Sequence, residues 1–136
     1  MNIIIIGANS DILNELIKQY PKANNFFLFG RAKSEDLEET IKNLPSSKFF
    51  FHNFNALEDK INKELVEDIE NKYGVIDLTI VGYGIMPKNN LDDDTLVEDT
   101  FDINVISKIV IINLIVNNYK KNNYGRIIIL GSVAGD

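Results

Sequence analysis

The chain has 136 residues, 45% of them apolar and 25% charged, with a formal net charge of −6. This is the length of one domain with a sizeable core, and the composition excludes a disordered chain. With no cysteine, one histidine and 14 scattered basic residues, disulfide scaffolds, thiol chemistry, His-rich metal sites and a nucleic-acid partner fall away.

Met1 leads directly into Ile3-Ile4-Ile5-Ile6, a first apolar block closed by Gly7. There is no basic leader and no long apolar segment, so neither a signal peptide nor a membrane span is expected, and a cytoplasmic location is. Ile12, Leu13, Leu16, Ile17 and Tyr20 then share one face of a helix stopped by Pro21. Phe26-Phe27-Leu28-Phe29, closed by Gly30, is the second block. Leu37, Ile41 and Leu44 line a second helix that ends at Pro45. Phe49-Phe50-Phe51 is the third block. Leu57, Ile61, Leu65, Ile69 and Tyr73 recur every four residues along a third helix ended by Gly74. Leu78-Thr79-Ile80-Val81, closed by Gly82, is the fourth block. Asp92 to Asp94 stand before a fourth helix, about 95–121, where carboxylates suit the positive end of its dipole. Ile127-Ile128-Ile129-Leu130, closed by Gly131, is the fifth block.

These blocks do not alternate apolar with polar residues. Each is predicted to be a strand buried on both faces, as in a parallel sheet. Strands alternating with helices predict a doubly wound, Rossmann-like α/β domain with strand order 3-2-1-4-5. No repeat, linker or shift in composition divides residues 1–136. In such a sheet the ligand lies outside the carboxyl tips of the strands, where the winding reverses between strands 1 and 4. The residues that close each strand are therefore the ones to read for chemistry.

After the first strand comes Gly7-Ala8-Asn9-Ser10-Asp11-Ile12. A glycine there lets the backbone turn sharply toward a phosphate, and the helix beyond it offers free N–H groups to an anion. The competing reading is a plain turn in which Ser10 caps the helix. The full G-x-G-x-x-G pattern and the P-loop lysine are absent, and the Asp11 carboxylate suits a pyrophosphate only if it points away. The second strand ends in Gly30-Arg31. An acid at this place would bond a ribose 2′-hydroxyl and select NAD. Arginine offers a forked cation for a 2′-phosphate and favours NADP, unless it is only a solvated surface side chain. At the third strand, His52 reads as a surface or adenine-side residue. Asn53 or Asn55 faces the adenine edge, with Asn53 taken as the candidate. A receiver-like signalling domain would need an aspartate after strand 3 and a lysine after strand 5; Asn53 and Gly131 to Asp136 supply neither.

Taken in order, these motifs resemble the N-terminal half of a short-chain dehydrogenase/reductase. The family's glycine motif, commonly T-G-x-x-x-G-x-G, falls on Ile6-Gly7-Ala8-Asn9-Ser10-Asp11-Ile12-Leu13. Only its first glycine is kept, a variant similar to a divergent branch with G-A-[TN]-S-D-I. The family's N-N-A-G falls on Val81-Gly82-Tyr83-Gly84 and keeps the last glycine. Its helix asparagine falls on Asn104. The strand-5 motif matches best, running from Gly125 to Gly135 with Ser132 in the place of the catalytic serine.

The resemblance implies hydride transfer between NADP(H) and a carbonyl or alcohol of a small molecule. It implies cofactor contacts from Gly7, Asn9, Ser10, Asp11, Ile12, Arg31, Asn53, Gly82 and Gly84. Ser132 would hydrogen-bond the substrate oxygen and Asn104 would hold a water in a proton relay. Their plainer readings are a strand-end hydroxyl and a buried amide serving its own helix. The family's proton donor is a tyrosine followed four residues later by a lysine, and no tyrosine of this chain has that neighbour. The expectation is an incomplete dinucleotide-binding domain, truncated after strand 5 and inactive as it stands. The alternative is a non-catalytic NADP-binding or regulatory module. Apolar residues from Ile109 to Val116 nearly encircle the fourth helix. Family members commonly pair this helix across a two-fold axis, so a homo-oligomer through residues 95–121 or through the strand 5 edge is expected.

Overall fold

The computed structural model describes residues 1–20, 24–86 and 94–131. The five apolar blocks become β1 (Asn2–Ile6), β2 (Asn25–Gly30), β3 (Lys48–Asn53), β4 (Leu78–Val81) and β5 (Arg126–Ile129). They form one parallel sheet in the order β3-β2-β1-β4-β5. Ile3 pairs with Phe26 on one side and Leu78 on the other, and Ile6 with Phe29 and Val81, so the tips of β1, β2 and β4 lie within one residue of each other.

Alternation along β1 feeds two cores. Ile3 and Ile5 join Phe26, Leu28, Leu13, Ile17 and Leu37 on the face covered by α1 (Asp11–Lys18) and α2 (Glu35–Lys42). Ile4 and Ile6 join Phe27, Phe29, Val66, Ile69, Ile111 and Ile115 on the face covered by α3 (Lys63–Tyr73) and α5 (Ser107–Asn122). Each fully buried isoleucine or phenylalanine contributes about 1.5–3 kcal/mol, which is why near-continuous apolar runs suit this sheet. Asn14 is the exception among the buried side chains of α1. Neither of its amide atoms has a hydrogen-bond partner among the described residues, a local cost of about 1–3 kcal/mol.

Burial on both faces holds for β1, β2 and β4 but not for β3 and β5. Phe49 to His52 are half-buried, and Ile128 and Ile129 are exposed, because both strands are sheet edges with little covering them. Ile12 also departs from its predicted inward face: it is 65% exposed, and Leu13 takes the inward position.

The third helix starts at Lys63, not near Leu57 as the four-residue spacing predicts. Local side-chain acceptors win over helix here. The Leu57 N–H donates to Asn55 Oδ1 at 3.2 Å, and the Asn55 N–H donates to Asp59 Oδ2 at 2.6 Å. Asn62 then caps α3, accepting from the Leu65 N–H at 2.9 Å. Pro21, Asp92 and Asp93 lie outside the described residues. The fourth helix is continuous from Asp94 to Asn122 but not uniform. It runs as α4 (Asp94–Phe101), one π turn (Asp102–Ile106) and α5. Among the described residues no helix is long and apolar enough to cross a membrane.

Candidate functional site

A cleft of about 290 Å³ opens at the carboxyl tips of β1, β2 and β4. Its floor follows from how β1 ends. Gly7 turns at φ +99°, and a Cβ there would lie 2.9 Å from Gly82 C and Tyr83 N. Only glycine allows the β1 turn to pass this close to the β4 exit. The turn is tied back to the sheet: the Gly7 and Ala8 N–H groups both donate to Phe29 O, at 2.8 and 3.0 Å.

The chain then enters α1, with Ser10 at the N-cap in extended conformation. Ser10 makes no side-chain cap bond, and the first intrahelical bond runs from Asn14 N–H to Ser10 O at 2.9 Å. The N–H groups of Asp11, Ile12 and Leu13 thus precede the intrahelical ladder, at the positive end of the helix dipole. Ser10, Gly7 and Asn9 line the cleft beside this uncapped end. Ser10 thus holds the N-cap position that the plainer reading gives it, but its side chain leaves the helix end open.

The β2 exit supplies the second wall, through Gly30 and Arg31. Arg31 is exposed. The β4 exit supplies the third, through Gly82, Tyr83 and Gly84. Gly7, Asn9, Ser10, Arg31, Gly82 and Gly84 therefore share one cleft. Asp11 and Ile12 do not line it. Asp11 instead borders a separate crevice between α1 and α2.

Asn53 is exposed and borders the neighbouring surface, whereas Asn55 lines the cleft. The pairing explains this. Asn53 is still in register with Gly30, and the Phe54 N–H donates to Gly30 O at 3.0 Å, so the chain leaves the sheet only after Phe54. His52 stacks on Phe29 with ring centroids 4.8 Å apart, and burial pushes its pKa down.

Asn104 sits in the π turn. Its Oδ1 accepts from the Ile85 N–H at 2.9 Å and its Nδ2 donates to Ile85 O at 2.7 Å. Both ends of the amide brace the β4 exit, and the neighbouring Ile103 lines the cleft. Ser132 lies outside the described residues.

Tyr83 is a cleft residue that sequence reading passes over, because attention falls on the flanking glycines. Its ring meets Phe54 edge-on at 5.8 Å, and its hydroxyl is 2.7 Å from Ser107 Oγ. Desolvation pushes the phenol pKa up. Lys108 Nζ lies 5.4 Å from the centre of that ring, and burial lowers its pKa. An aromatic residue directly after a strand-closing glycine is the signal that could have marked this wall.

A turn that begins at a glycine, a helix end without a side-chain cap and an exposed arginine form a surface suited to a phosphate-bearing ligand. Among the described residues no cluster of acidic, histidine or cysteine side chains could hold a metal ion.

Over residues 1–136 the chain matches the family described as short chain dehydrogenase. No curated protein matches it in sequence. Among solved structures it resembles a short-chain dehydrogenase/reductase from Saccharomyces cerevisiae, at TM-score 0.77 and 21% identity over 99% of this chain and 55% of that one. It also resembles a 3-ketoacyl-ACP reductase from Sinorhizobium meliloti, at TM-score 0.74 and 20% identity over 99% of this chain and 55% of that one. A third is an NADH-dependent reductase solved with NAD, at TM-score 0.76 and 16% identity over 98% of this chain and 60% of that one. The chain thus spans a little over half the length of these structures.

Proposed function

The chain belongs to the short-chain dehydrogenase family, and from that premise we propose that it is the cofactor-binding part of an NADP(H)-dependent oxidoreductase acting on a carbonyl or alcohol of a small molecule. The observation that carries the reading is the convergence of Gly7, the uncapped start of α1, and Arg31 on one cleft. When bound, the dinucleotide supplies the hydride chemistry. The protein's part is to hold and orient it. Backbone N–H groups at the start of α1 receive the pyrophosphate, Gly7 lets the backbone come close, and the Arg31 guanidinium receives the 2′-phosphate. Asn55 stands on the adenosine side. Asn104 fixes the β4 exit beneath the reacting end, and Ser132 bonds the substrate oxygen.

We also read the protein as a homo-oligomer. Val97, Phe101, Ile106, Ile109 and Val110 leave an apolar stripe exposed along α4, the π turn and α5, and such a stripe is covered in a stable protein. A cytoplasmic location goes with the same reading.

The test is a fluorescence titration of the chain with NADPH and with NADH, since NAD is the ligand of one structural neighbour. NADPH is expected to bind at least about tenfold more tightly, the worth of a charge-assisted phosphate contact. Equal affinity, or tighter binding of NADH, overturns the NADP reading. No binding of either overturns the assignment of the cleft.

A further inference from the structure

The side chain of Asn9 is committed to its own protein. Its Nδ2 donates to Ala32 O, across 23 positions of sequence. Its Oδ1 lies against Gly30, where any Cβ would collide with it. The two residues flanking Arg31 are therefore both engaged by one amide. Gly30 is also held from the other side, since its carbonyl accepts from the Phe54 N–H at 3.0 Å. The backbone on either side of Arg31 is pinned, while the guanidinium on its long stem is exposed.

A flexible arginine loses conformational freedom when it grips a phosphate, and loses more if its loop must also be ordered. Fixing the loop beforehand removes that second part. We propose that Asn9 is the positioning residue for cofactor selectivity: it stitches the β1 exit to the β2 exit and so presents Arg31 to the 2′-phosphate, rather than serving as a ligand of the dinucleotide. This rests on the NADP reading above. It also explains the residue at position 30. Gly30 is needed for the room that it leaves the Asn9 amide, and the pair works as a unit.

The stitch is separable from the fold. The β1 turn is independently held by the two bonds to Phe29 O and by the Ser10 N–H to Gly7 O bond at 2.9 Å. Removing the amide therefore frees the Arg31 loop and leaves the turn in place.

The experiment is NADPH and NADH titration of wild type, Asn9→Ala, Gly30→Ala and the double variant, with thermal unfolding of each. Asn9→Ala is expected to lose about tenfold in NADPH affinity, to keep its NADH affinity within about twofold, and to unfold near the wild-type temperature. Gly30→Ala pushes the amide aside and should show the same collapse of selectivity, and the double variant should lose no more than either single one. If Gly30→Ala does not fold, Asn9→Ala alone decides. Unchanged NADPH preference in Asn9→Ala overturns the proposal. An equal loss for both cofactors also overturns it, because it would make Asn9 a contact to the part that they share. A wild type without NADPH preference overturns the reading on which the proposal rests, and is seen before any variant is made.

Discussion

Arg31→Asp is expected to lose about a hundredfold in NADPH affinity, near 2.7 kcal/mol, while NADH affinity changes by less than about threefold. The cause is local. Arg31 is exposed at the β2 exit, on the wall of the cleft next to Gly30. A guanidinium there forms charge-assisted hydrogen bonds to a dianionic 2′-phosphate. A carboxylate in its place repels that group and accepts a hydrogen bond from a plain 2′-hydroxyl instead. NADH has no phosphate at that position and so does not register the missing charge. Titration of both cofactors against both proteins measures the difference. Equal losses for the two would mean that Arg31 touches a shared part of the molecule or only shapes the loop. No loss would mean that it is a solvated surface side chain.

Gly7→Ala is expected to destabilise the chain by roughly 2–4 kcal/mol and to abolish dinucleotide binding. Two effects combine. The backbone at φ +99° is one that a residue with a Cβ adopts at a cost. The new methyl would also stand 2.9 Å from Gly82 C and Tyr83 N, backbone atoms at the end of β4 that cannot swing aside as a flexible side chain can. Relief requires β1 and β4 to part at their tips, where the cleft has its floor. Urea denaturation reads the stability loss. A Gly7→Ala protein within about 0.5 kcal/mol of wild type would show that the turn has room that the geometry does not suggest.

The strands were legible as short β-branched or aromatic runs, four of them closed by glycine, and their order followed from the helical stretches that alternate with them. Period alone places Ile3 to Ile6 in the middle of the sheet, where both faces are covered. What it does not show is coverage at the edges, so the half-buried Phe49 to His52 and the exposed Ile129 depart from the same reading. The start of the third helix was lost for a different reason. Leu57 and Ile61 keep a four-residue spacing with Leu65, yet the acceptors of Asn55 and Asp59 hold the chain in a turn before Asn62 caps the helix. Spacing registers apolar side chains; it is blind to which side chains bond the backbone.

The site divides in the same way. Gly7, Ser10, Arg31, Gly82 and Gly84 follow from their places at strand ends and share the cleft. The choice between Asn53 and Asn55 depends on whether pairing with β2 runs one residue further, which the sequence does not mark. The Asn9 amide and the π turn around Asn104 are long-range events, joining Asn9 to Ala32 and Asn104 to Ile85. A π turn set between two ordinary helical stretches leaves no trace in apolar periodicity, and such turns are frequent at functional sites.

The central claim is best tested by amide chemical-shift mapping of the isotope-labelled chain as NADP is added. The expected result is a cluster of shifted amides at Gly7, Ser10 to Leu13, Arg31 and Gly82, with the α1–α2 crevice around Asn43 undisturbed. Shifts centred on that crevice, or none at the Gly7 turn with saturating NADP, would contradict the account.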